Sequence, residues 1–360
     1  MGPVAAARAM AAAARRRGFK ARLMPIADGG DGLIEVLRFG HGGVLRARRV
    51  KNAVGRAVRA EYLFLKNGRT AVIEMARASG LTALLGAKNR PLEANSYGTG
   101  QLIKVALDAG ATKIIVGLGG SACNDAGTGM AVALGVKFLD LKGKELPLGV
   151  AGLARLAHID FSALEPKIKN AQILAFSDVR NPLLGKYGSA RVYGPQKGAT
   201  PRQVKEMEKA LARLCAVLKK ERGLDIGHRP GGAAAGGVAA GLAAFLGAEI
   251  RNGAEEVLAL LGAEAEVKKA DFVVTAEGKL DSQTPYGKAP ASLAKLCRKY
   301  KKPLLFVCAV NELSPRKIRA LGISRVVSFK DLGASPQSSR KTPAKWIRKA
   351  VLIGVEGRGQ

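Results

Sequence analysis

The stretch Lys113–Met130, KIIVGLGGSACNDAGTGM, decides how the rest of the chain is interpreted. Its first four residues form a short β-branched run, which is typical of a buried parallel strand. A glycine-rich turn follows. The helix expected after it ends at Gly135, a residue suited to the left-handed stop of a helix. Strand, turn and helix in this order are typical of an α/β fold.

The turn after this strand joins glycines to polar residues at the positive end of the predicted helix. One interpretation is close packing of the helix on the strand. The other, which we favour, is that a ligand approaches the bare backbone there. The chain has no Walker A pattern, so a phosphate bound here would be held differently. The candidate ligand-binding residues of the turn are Gly119, Gly120, Ser121, Asn124 and Asp125, and the last three are also candidate helix caps.

The amino-acid composition indicates how many domains the chain can form and which class of ligand it suits. The chain has 360 residues, 48% of them hydrophobic, which is enough apolar material for two domains. Its formal net charge of +31 suits anionic ligands, and a basic, non-catalytic nucleic-acid-binding protein is one alternative function. The basic residues are scattered, however, and only 5% of residues are aromatic, so we expect no specific nucleic-acid partner.

Cysteine usage and the apolar segments indicate a cytoplasmic protein. The four cysteines have no CxxC spacing and the three histidines lie far apart, which argues against a disulfide scaffold or a Cys/His zinc site. The arginines of the first 18 residues follow the alanines, unlike those of a secretory signal. Residues 230–248 are uncharged but mostly alanine and glycine, so we predict a buried helix rather than a membrane span.

The segments before the opening stretch predict a mixed sheet. Lys20–Ile26 has the composition of a strand, and two alternating segments, Val44–Val50 and Arg56–Leu65, predict an antiparallel pair. Glu74 lies inside the apolar run Thr70–Met75. A buried carboxylate needs a partner, so Glu74 is either paired structurally, which we slightly favour, or directed into a cleft.

Three further loops follow predicted strands and carry charged residues. The loop after Lys20–Ile26 contains Asp28, Gly29, Gly30 and Asp31, where a ligand or metal site and a tight turn are equally supported. Asp178 follows the strand Ala171–Phe176, and Lys197 lies soon after between a proline and a glycine. Two carboxylates and two lysines follow the strand Ala270–Thr275 and are hard to explain structurally: Glu277, Lys279, Asp281 and Lys288.

A second alternative is an NAD-dependent oxidoreductase. Gly117–Ala122 followed by a helix, a strand and Asp140 imitates the dinucleotide-binding fingerprint. The pattern is short, its helix contains two glycines, and the other charged loops have no place in it.

Taken together, the motifs resemble the type I glycerate kinase family. They occur in the family's order and spacing: ADGGDG (27–32), GLGGSACNDAGTGM (117–130), SDVRNPL (177–183), YGPQKGA (193–199), the glycines of 230–237 and TAEGKLDSQTPYGKAP (275–290). The resemblance implies a kinase that uses ATP and Mg²⁺ to phosphorylate D-glycerate, with 2-phosphoglycerate favoured as product. It also implies a Rossmann/flavodoxin-like domain built from both chain ends (1–43 and 270–350), an inserted α/β domain with a mixed sheet (44–269), and an active site in the cleft between them.

The resemblance also guides the residue roles. Lys197, Lys279 and Lys288 are candidates for binding the triphosphate and the glycerate carboxylate, and Asp178 is the candidate base for the glycerate hydroxyl. Asp281 and Glu277 are the first candidates for Mg²⁺, with Asp28 and Asp31 behind them. Asp28, Gly29 and Gly30 join the predicted substrate- and nucleotide-binding residues. A homodimer is compatible with the sequence.

One departure from the family concerns its first strand and loop, which resemble KIVIAPDSFKGS and have no counterpart before Pro3. Without that strand, the parallel sheet would have a gap beside Lys20–Ile26. We therefore expect the chain as written to be a poor catalyst or an inactive relative, and a form extended upstream to be active.

Overall fold

A computed structural model describes residues 1–281 and 289–356 of the chain. Chain contacts divide it into two compact units. The first contains Met1–Asp28, Glu35–Gly40 and the described residues from Ala254 onward; the second contains Gly29–Ile34 and His41–Gly253. The first unit thus uses both ends of the sequence. Strands and helices alternate in each unit, which confirms the predicted α/β class.

The helices and strands of the described residues are as follows. The α-helices are α1 (Pro3–Arg16), α2 (Leu33–His41), α3 (Ala76–Ser79), α4 (Tyr97–Asp108), α5 (Thr128–Ala133), α6 (Ser189–Tyr193), α7 (Pro201–Arg222), α8 (Val238–Leu246), α9 (Gly253–Leu260), α10 (Ala263–Lys269), α11 (Ala289–Lys299), α12 (Pro315–Ala320), α13 (Pro336–Lys341) and α14 (Pro343–Gly354). The strands are β1 (Val44–Lys51), β2 (Ala57–Phe64), β3 (Thr70–Glu74), β4 (Lys113–Gly117), β5 (Lys137–Leu139), β6 (His158–Asp160), β7 (Gln172–Ser177), β8 (Glu249–Asn252), β9 (Val273–Leu280), β10 (Leu304–Asn311) and β11 (Arg325–Ser328). None of these helices is both long and apolar enough to span a bilayer.

The second unit is built on a six-stranded mixed sheet with the order β1-β2-β3-β4-β7-β8. β1 pairs antiparallel with β2, as the alternating segments predict, and β2 pairs antiparallel with β3. The other four strands are parallel to one another. Because their carboxyl ends meet at one edge, the loops that follow β3, β4, β7 and β8 are brought together there.

The core of this unit surrounds the strand of the opening stretch. Ile114, Ile115 and Val116 of β4 are fully buried, as expected for a parallel strand covered on both faces. α7 begins with a capping box in which Thr200 accepts a hydrogen bond from the Gln203 amide and the Gln203 side chain accepts one from the Thr200 amide. The buried stripe of this helix matches the sequence periodicity and consists of Met207, Leu211, Leu214 and Leu218.

The first unit is built on a three-stranded parallel sheet with the order β11-β10-β9. Alternate residues of β10 enter two different apolar clusters. Leu305 and Val307 pack with α1 and α14, whereas Phe306 and Cys308 pack with residues from α9, α10 and α11. The alternation shows that this sheet is also covered on both faces.

The prediction of a strand at Lys20–Ile26 is wrong. Within the described residues this segment pairs with no strand, and β10 is the one strand that pairs with β9. A strand requires hydrogen bonds from a neighbouring backbone as well as a suitable apolar pattern. The apolar pattern of this segment has another cause. Ala21 packs against the apolar cluster around α1 and α14, whereas Met24 and Ile26 pack against the apolar cluster formed with α9, α10 and α11.

The topology also rules out the dinucleotide-binding alternative. That fingerprint requires the strand after the glycine-rich turn and helix to lie in the same parallel sheet as β4. Instead, β5 pairs antiparallel with β6 in a separate two-stranded sheet. Asp140 closes a local turn, where its carboxylate accepts hydrogen bonds from the amides of Lys142 and Lys144.

A substitution at Gly236 tests the close packing of the glycine-rich segment before α8. Gly236 has φ +73°, and a Cβ there would lie 1.9 Å from the carbonyl oxygen of Cys123. Gly247 has φ +66°, but a Cβ there would meet no atom within 4 Å. We expect Gly247→Ala to lower the free energy of unfolding by about 1 kcal/mol through backbone strain alone. We expect Gly236→Ala to lower it by about 3 kcal/mol, because overpacking adds to the strain. Equal losses in denaturant titrations would contradict the packing.

Candidate active site

The loop Gly117–Asp125 lies at the carboxyl edge of the parallel strands and is held from both sides. On the side of β7, the Leu118 amide donates to the carbonyl of Phe176 over 3.0 Å. On the side of β3, the Met75 amide donates to the carbonyl of Gly117 over 3.1 Å. Ligands of open α/β sheets bind at this edge, so the loop is the centre of the candidate site.

The predicted loop at residues 27–32 contributes Gly29–Asp31 to the same place. A Cβ on Gly119 would lie 2.7 Å from the Cα of Gly30, and a Cβ on Gly29 would lie 2.9 Å from the Cβ of Phe176. The two loops therefore touch backbone to backbone. At Gly29 and Gly119, close packing accounts for the glycines, while the ligand contacts predicted for Gly29, Gly30 and Gly119 remain predictions. Asp28 belongs to the other unit.

Glu74 is paired, as the sequence analysis slightly favoured. One carboxylate oxygen accepts from the Ile34 amide over 2.9 Å and the other accepts from Nε of Arg77 over 2.8 Å. Arg77 also contacts Glu61 over 2.6 Å. The buried carboxylate thus joins the end of β3 to the first turn of α2. Arg77, a cation beside the site, was missed from the sequence because its environment depends on two carboxylates distant in sequence.

Asp125 is fully buried, and the protein itself satisfies its carboxylate. One oxygen accepts hydrogen bonds from the amide and the hydroxyl of Ser96, both over 2.8 Å, and from the Gly129 amide over 3.0 Å. Asp125 therefore connects the starts of α4 and α5. The prediction that Ser121, Asn124 or Asp125 is the helix cap is wrong, because the N-cap of α5 is Gly127, which makes no side-chain capping hydrogen bond. The predicted role of Asp125 in ligand binding remains a prediction.

Lys197 is buried against the same loop and is only 4% exposed. Its Nζ donates to the Ser121 hydroxyl over 2.9 Å, to the Cys123 carbonyl over 2.7 Å and to Oδ1 of Asn124 over 3.3 Å. The structure thus brings three of the predicted residues together: Lys197, Ser121 and Asn124. Burial lowers the pKa of Lys197 to about 8, although the charge of Asp125 acts in the opposite direction.

Asn89 is a second residue that the sequence analysis missed. Its Nδ2 donates to the carbonyl of Lys197 over 2.8 Å and to the carbonyl of Ala122 over 3.1 Å. It therefore fastens the loop that contains Lys197 to the loop after β4. Nothing in its sequence context, between a lysine and an arginine, distinguishes it from an ordinary exposed asparagine.

The loop after β4 also contains backbone strain. Ala126 has φ +48°, and Ala235, in the segment that packs against it, has φ +56°. Left-handed conformations are uncommon for residues other than glycine and concentrate at functional sites. The two segments are joined by a hydrogen bond from the Ala126 amide to the carbonyl of Gly236 over 3.1 Å.

Asp178 follows β7 and lies close to a tyrosine. Burial raises the pKa of Tyr193, and the negative charge of Asp178 raises it further. The Tyr193 hydroxyl donates to Oδ1 of Asn181 over 3.2 Å, and Nδ2 of Asn181 donates to the carbonyl of Tyr187. The loop after β7 and α6 are therefore connected around the predicted base.

The remaining predicted residues belong to the first unit. Nζ of Lys279 lies 2.9 Å from Glu312 and 3.7 Å from Asp281. The hydrogen bond that Lys279 donates to the Glu312 carboxylate raises the pKa of Lys279. Glu277 lies on β9, and Lys288 lies outside the described residues. Within residues 1–281 and 289–356, no three His, Cys, Asp or Glu side chains gather as a metal site would require.

The depressed pKa of Lys197 predicts an unusual dependence of stability on pH. The folded chain loses this proton near pH 8, and the unfolded chain near its ordinary value of 10.5. Between those pH values the unfolded state binds more protons, so stability rises with pH. The gain over this window is roughly 3 kcal/mol. We expect the wild type to gain about this much relative to Lys197→Met between pH 7 and pH 10.5 in denaturant titrations. Lys205→Met, at an exposed position of α7, is the matched control and should keep the wild-type dependence. A constant difference between wild type and Lys197→Met would contradict the burial of a charged lysine.

Comparison with known proteins identifies the family. Residues 1–352 match the Glycerate kinase family. The chain is 43% identical to the glycerate 2-kinase of Escherichia coli (strain K12) over 282 residues, covering 78% of this chain and 74% of that protein. It is 38% identical to the glycerate kinase of Bacillus subtilis (strain 168) over 326 residues, covering 89% and 85%. A crystal structure from Salmonella typhimurium LT2, which carries the name glycerate kinase 2, has a TM-score of 0.84 and 36% identity, covering 98% of this chain and 93% of that one. The chain therefore belongs to the glycerate kinase family of enzymes.

Proposed function

We propose that this enzyme transfers a phosphoryl group from ATP to D-glycerate, with 2-phosphoglycerate as the product. The relatives named glycerate kinase and glycerate 2-kinase support the reaction and the position of transfer. The observation that carries the proposal is the buried ammonium of Lys197 beneath the loop after β4. This is the edge of the sheet at which ligands bind, and both substrates are anions.

Phosphoryl transfer asks the protein mainly for positioning and for neutralisation of charge. Lys197 supplies positioning, because its buried Nζ donates hydrogen bonds to Ser121 and Asn124 of the loop. The glycines of the loop leave its backbone bare, and a backbone amide can donate to a phosphate or carboxylate oxygen.

Asp178 is the proposed base. It follows β7 at the edge where β4 also ends, and a carboxylate there can accept the proton of the glycerate hydroxyl as the oxygen attacks phosphorus. The Tyr193 hydroxyl has a raised pKa and stays protonated at neutral pH. It therefore continues to donate its hydrogen bond to Asn181 and to hold the loop after β7 in place.

The donors proposed for Mg²⁺ are Glu277 and Asp281. Mg²⁺ prefers oxygen ligands and commonly takes only one or two carboxylates from the protein, with phosphates and water completing its shell. The carboxylates of the two residues fit that chemistry. When bound, the ion would neutralise phosphate charge. Lys279 contacts Asp281 and would compete with the ion for that carboxylate.

The reaction can be tested with an assay that couples ADP formation to NADH oxidation. We expect ADP release that depends on D-glycerate, and ³¹P NMR should identify 2-phosphoglycerate. Asp178→Asn should lower kcat by about 100- to 10,000-fold, because the base is lost. Asp108→Asn, at the exposed end of α4, is the matched control and should keep wild-type kcat. No glycerate-dependent ADP release, either by the chain as written or by a form extended upstream, would overturn the proposed function, and an unchanged kcat for Asp178→Asn would overturn the role of the base.

A further inference from the structure

The ammonium group of Lys197 has no hydrogen left for a substrate. It carries three hydrogens and can only donate. Three oxygens surround it within hydrogen-bond distance, and they belong to Ser121, Cys123 and Asn124. The whole side chain is buried, and all three acceptors come from the loop after β4. The geometry therefore directs Lys197 toward its own protein rather than toward a bound anion.

This arrangement fixes the direction of one amide. Because the ammonium only donates, Asn124 must present Oδ1 to it, and its Nδ2 must point elsewhere. Nδ2 of Asn124 is buried and has no hydrogen-bond acceptor among the described residues. Buried amide donors are almost always paired in folded proteins, so an exception calls for an explanation.

The loop around this amide is held as a unit. Nδ2 of Asn89 donates hydrogen bonds to the carbonyls of Lys197 and Ala122. It therefore connects the backbone of the segment that contains Lys197 to the backbone of the loop after β4. The strained Ala126 follows two residues after Asn124. Strain and an unpaired donor in the same short segment are features of a site completed by its ligand.

We propose that Lys197 is a positioning residue and that the group it positions, Nδ2 of Asn124, donates a hydrogen bond to an anionic oxygen of the substrate. The inference rests on the proposed function and names the donor that acts at the same site. The amide is covered in the structure, so this contact requires the loop to shift when the substrate binds. The oxygen belongs either to the glycerate carboxylate or to the transferred phosphoryl group.

Three variants of the full chain test the proposal: Asn124→Asp, Lys197→Met and the double variant. Asn124→Asp keeps the size of the side chain and an oxygen for Lys197, but replaces the Nδ2 donor with an acceptor. We expect it to unfold at or above the wild-type temperature and to lose about 100-fold in kcat/KM, the scale of losing one preorganised donor. Lys197→Met should lose a similar factor, because the amide is no longer oriented. Lys205→Met is again the control and should retain wild-type kcat/KM.

The double variant separates positioning from direct binding. If Lys197 acts through Asn124, adding Lys197→Met to Asn124→Asp should cost less than about 3-fold further in kcat/KM. Losses that multiply would show that Lys197 acts on the substrate independently and would overturn the proposal. Wild-type activity of Asn124→Asp would overturn it as well.

KM and kcat together show which of the two substrate oxygens accepts the hydrogen bond from Asn124. A loss confined to KM for D-glycerate identifies the carboxylate, and a loss confined to kcat identifies the transferred phosphoryl group. The double-mutant cycle is also measured in the free energy of unfolding, which needs no turnover. If neither the chain as written nor a form extended upstream shows glycerate kinase activity, the proposed function fails, yet coupling between Lys197 and Asn124 in stability still tests their contact.

Discussion

The structure of the candidate site depends on two buried opposite charges, the ammonium of Lys197 and the carboxylate of Asp125. A charge out of water is tolerated only when hydrogen bonds and an opposite charge compensate for lost hydration. Here the compensation comes almost entirely from the loop after β4 and the residues that touch it. Each of these hydrogen bonds fixes the position of a loop residue, so the shape of the loop is set by electrostatics as much as by packing.

The glycines make that arrangement sterically possible. A side chain on Gly119 would collide with Gly30, and one on Gly129 would lie 2.9 Å from the Asp125 carboxylate. The carboxylate reaches the amide of Gly129 only because that residue has no side chain in the way. Glycine thus serves two purposes in one motif: it permits backbone contact between loops, and it permits a buried acid to reach backbone donors. Sequence inspection alone does not separate these purposes from direct contact with a ligand.

The features that the sequence predicted well are those encoded by neighbouring residues. The antiparallel pair β1–β2 is the clearest case, because its two alternating segments follow each other directly and are joined by a short turn. Lys20–Ile26 failed because hydrogen bonding to a distant strand decides strand formation, and apolar contacts alone can produce the same pattern. The acid at Asp140 failed as a dinucleotide signal for the same reason, since the partner of β5 is not visible from local spacing. At the site, Lys197 was predicted to bind an anion, but its burial depends on Ser121 and Asn124, which lie 76 and 73 residues earlier in the sequence.

The contact between Lys197 and Asn124 explains why a lysine occupies a position where an apolar side chain of similar length would fit. A buried ammonium is costly, and replacing buried charged groups with apolar ones often stabilises a protein. A methionine could fill the space, but it could not distinguish the oxygen of Asn124 from its nitrogen. Only a group that donates and never accepts can impose that choice on the amide. Stability and function therefore oppose each other at Lys197.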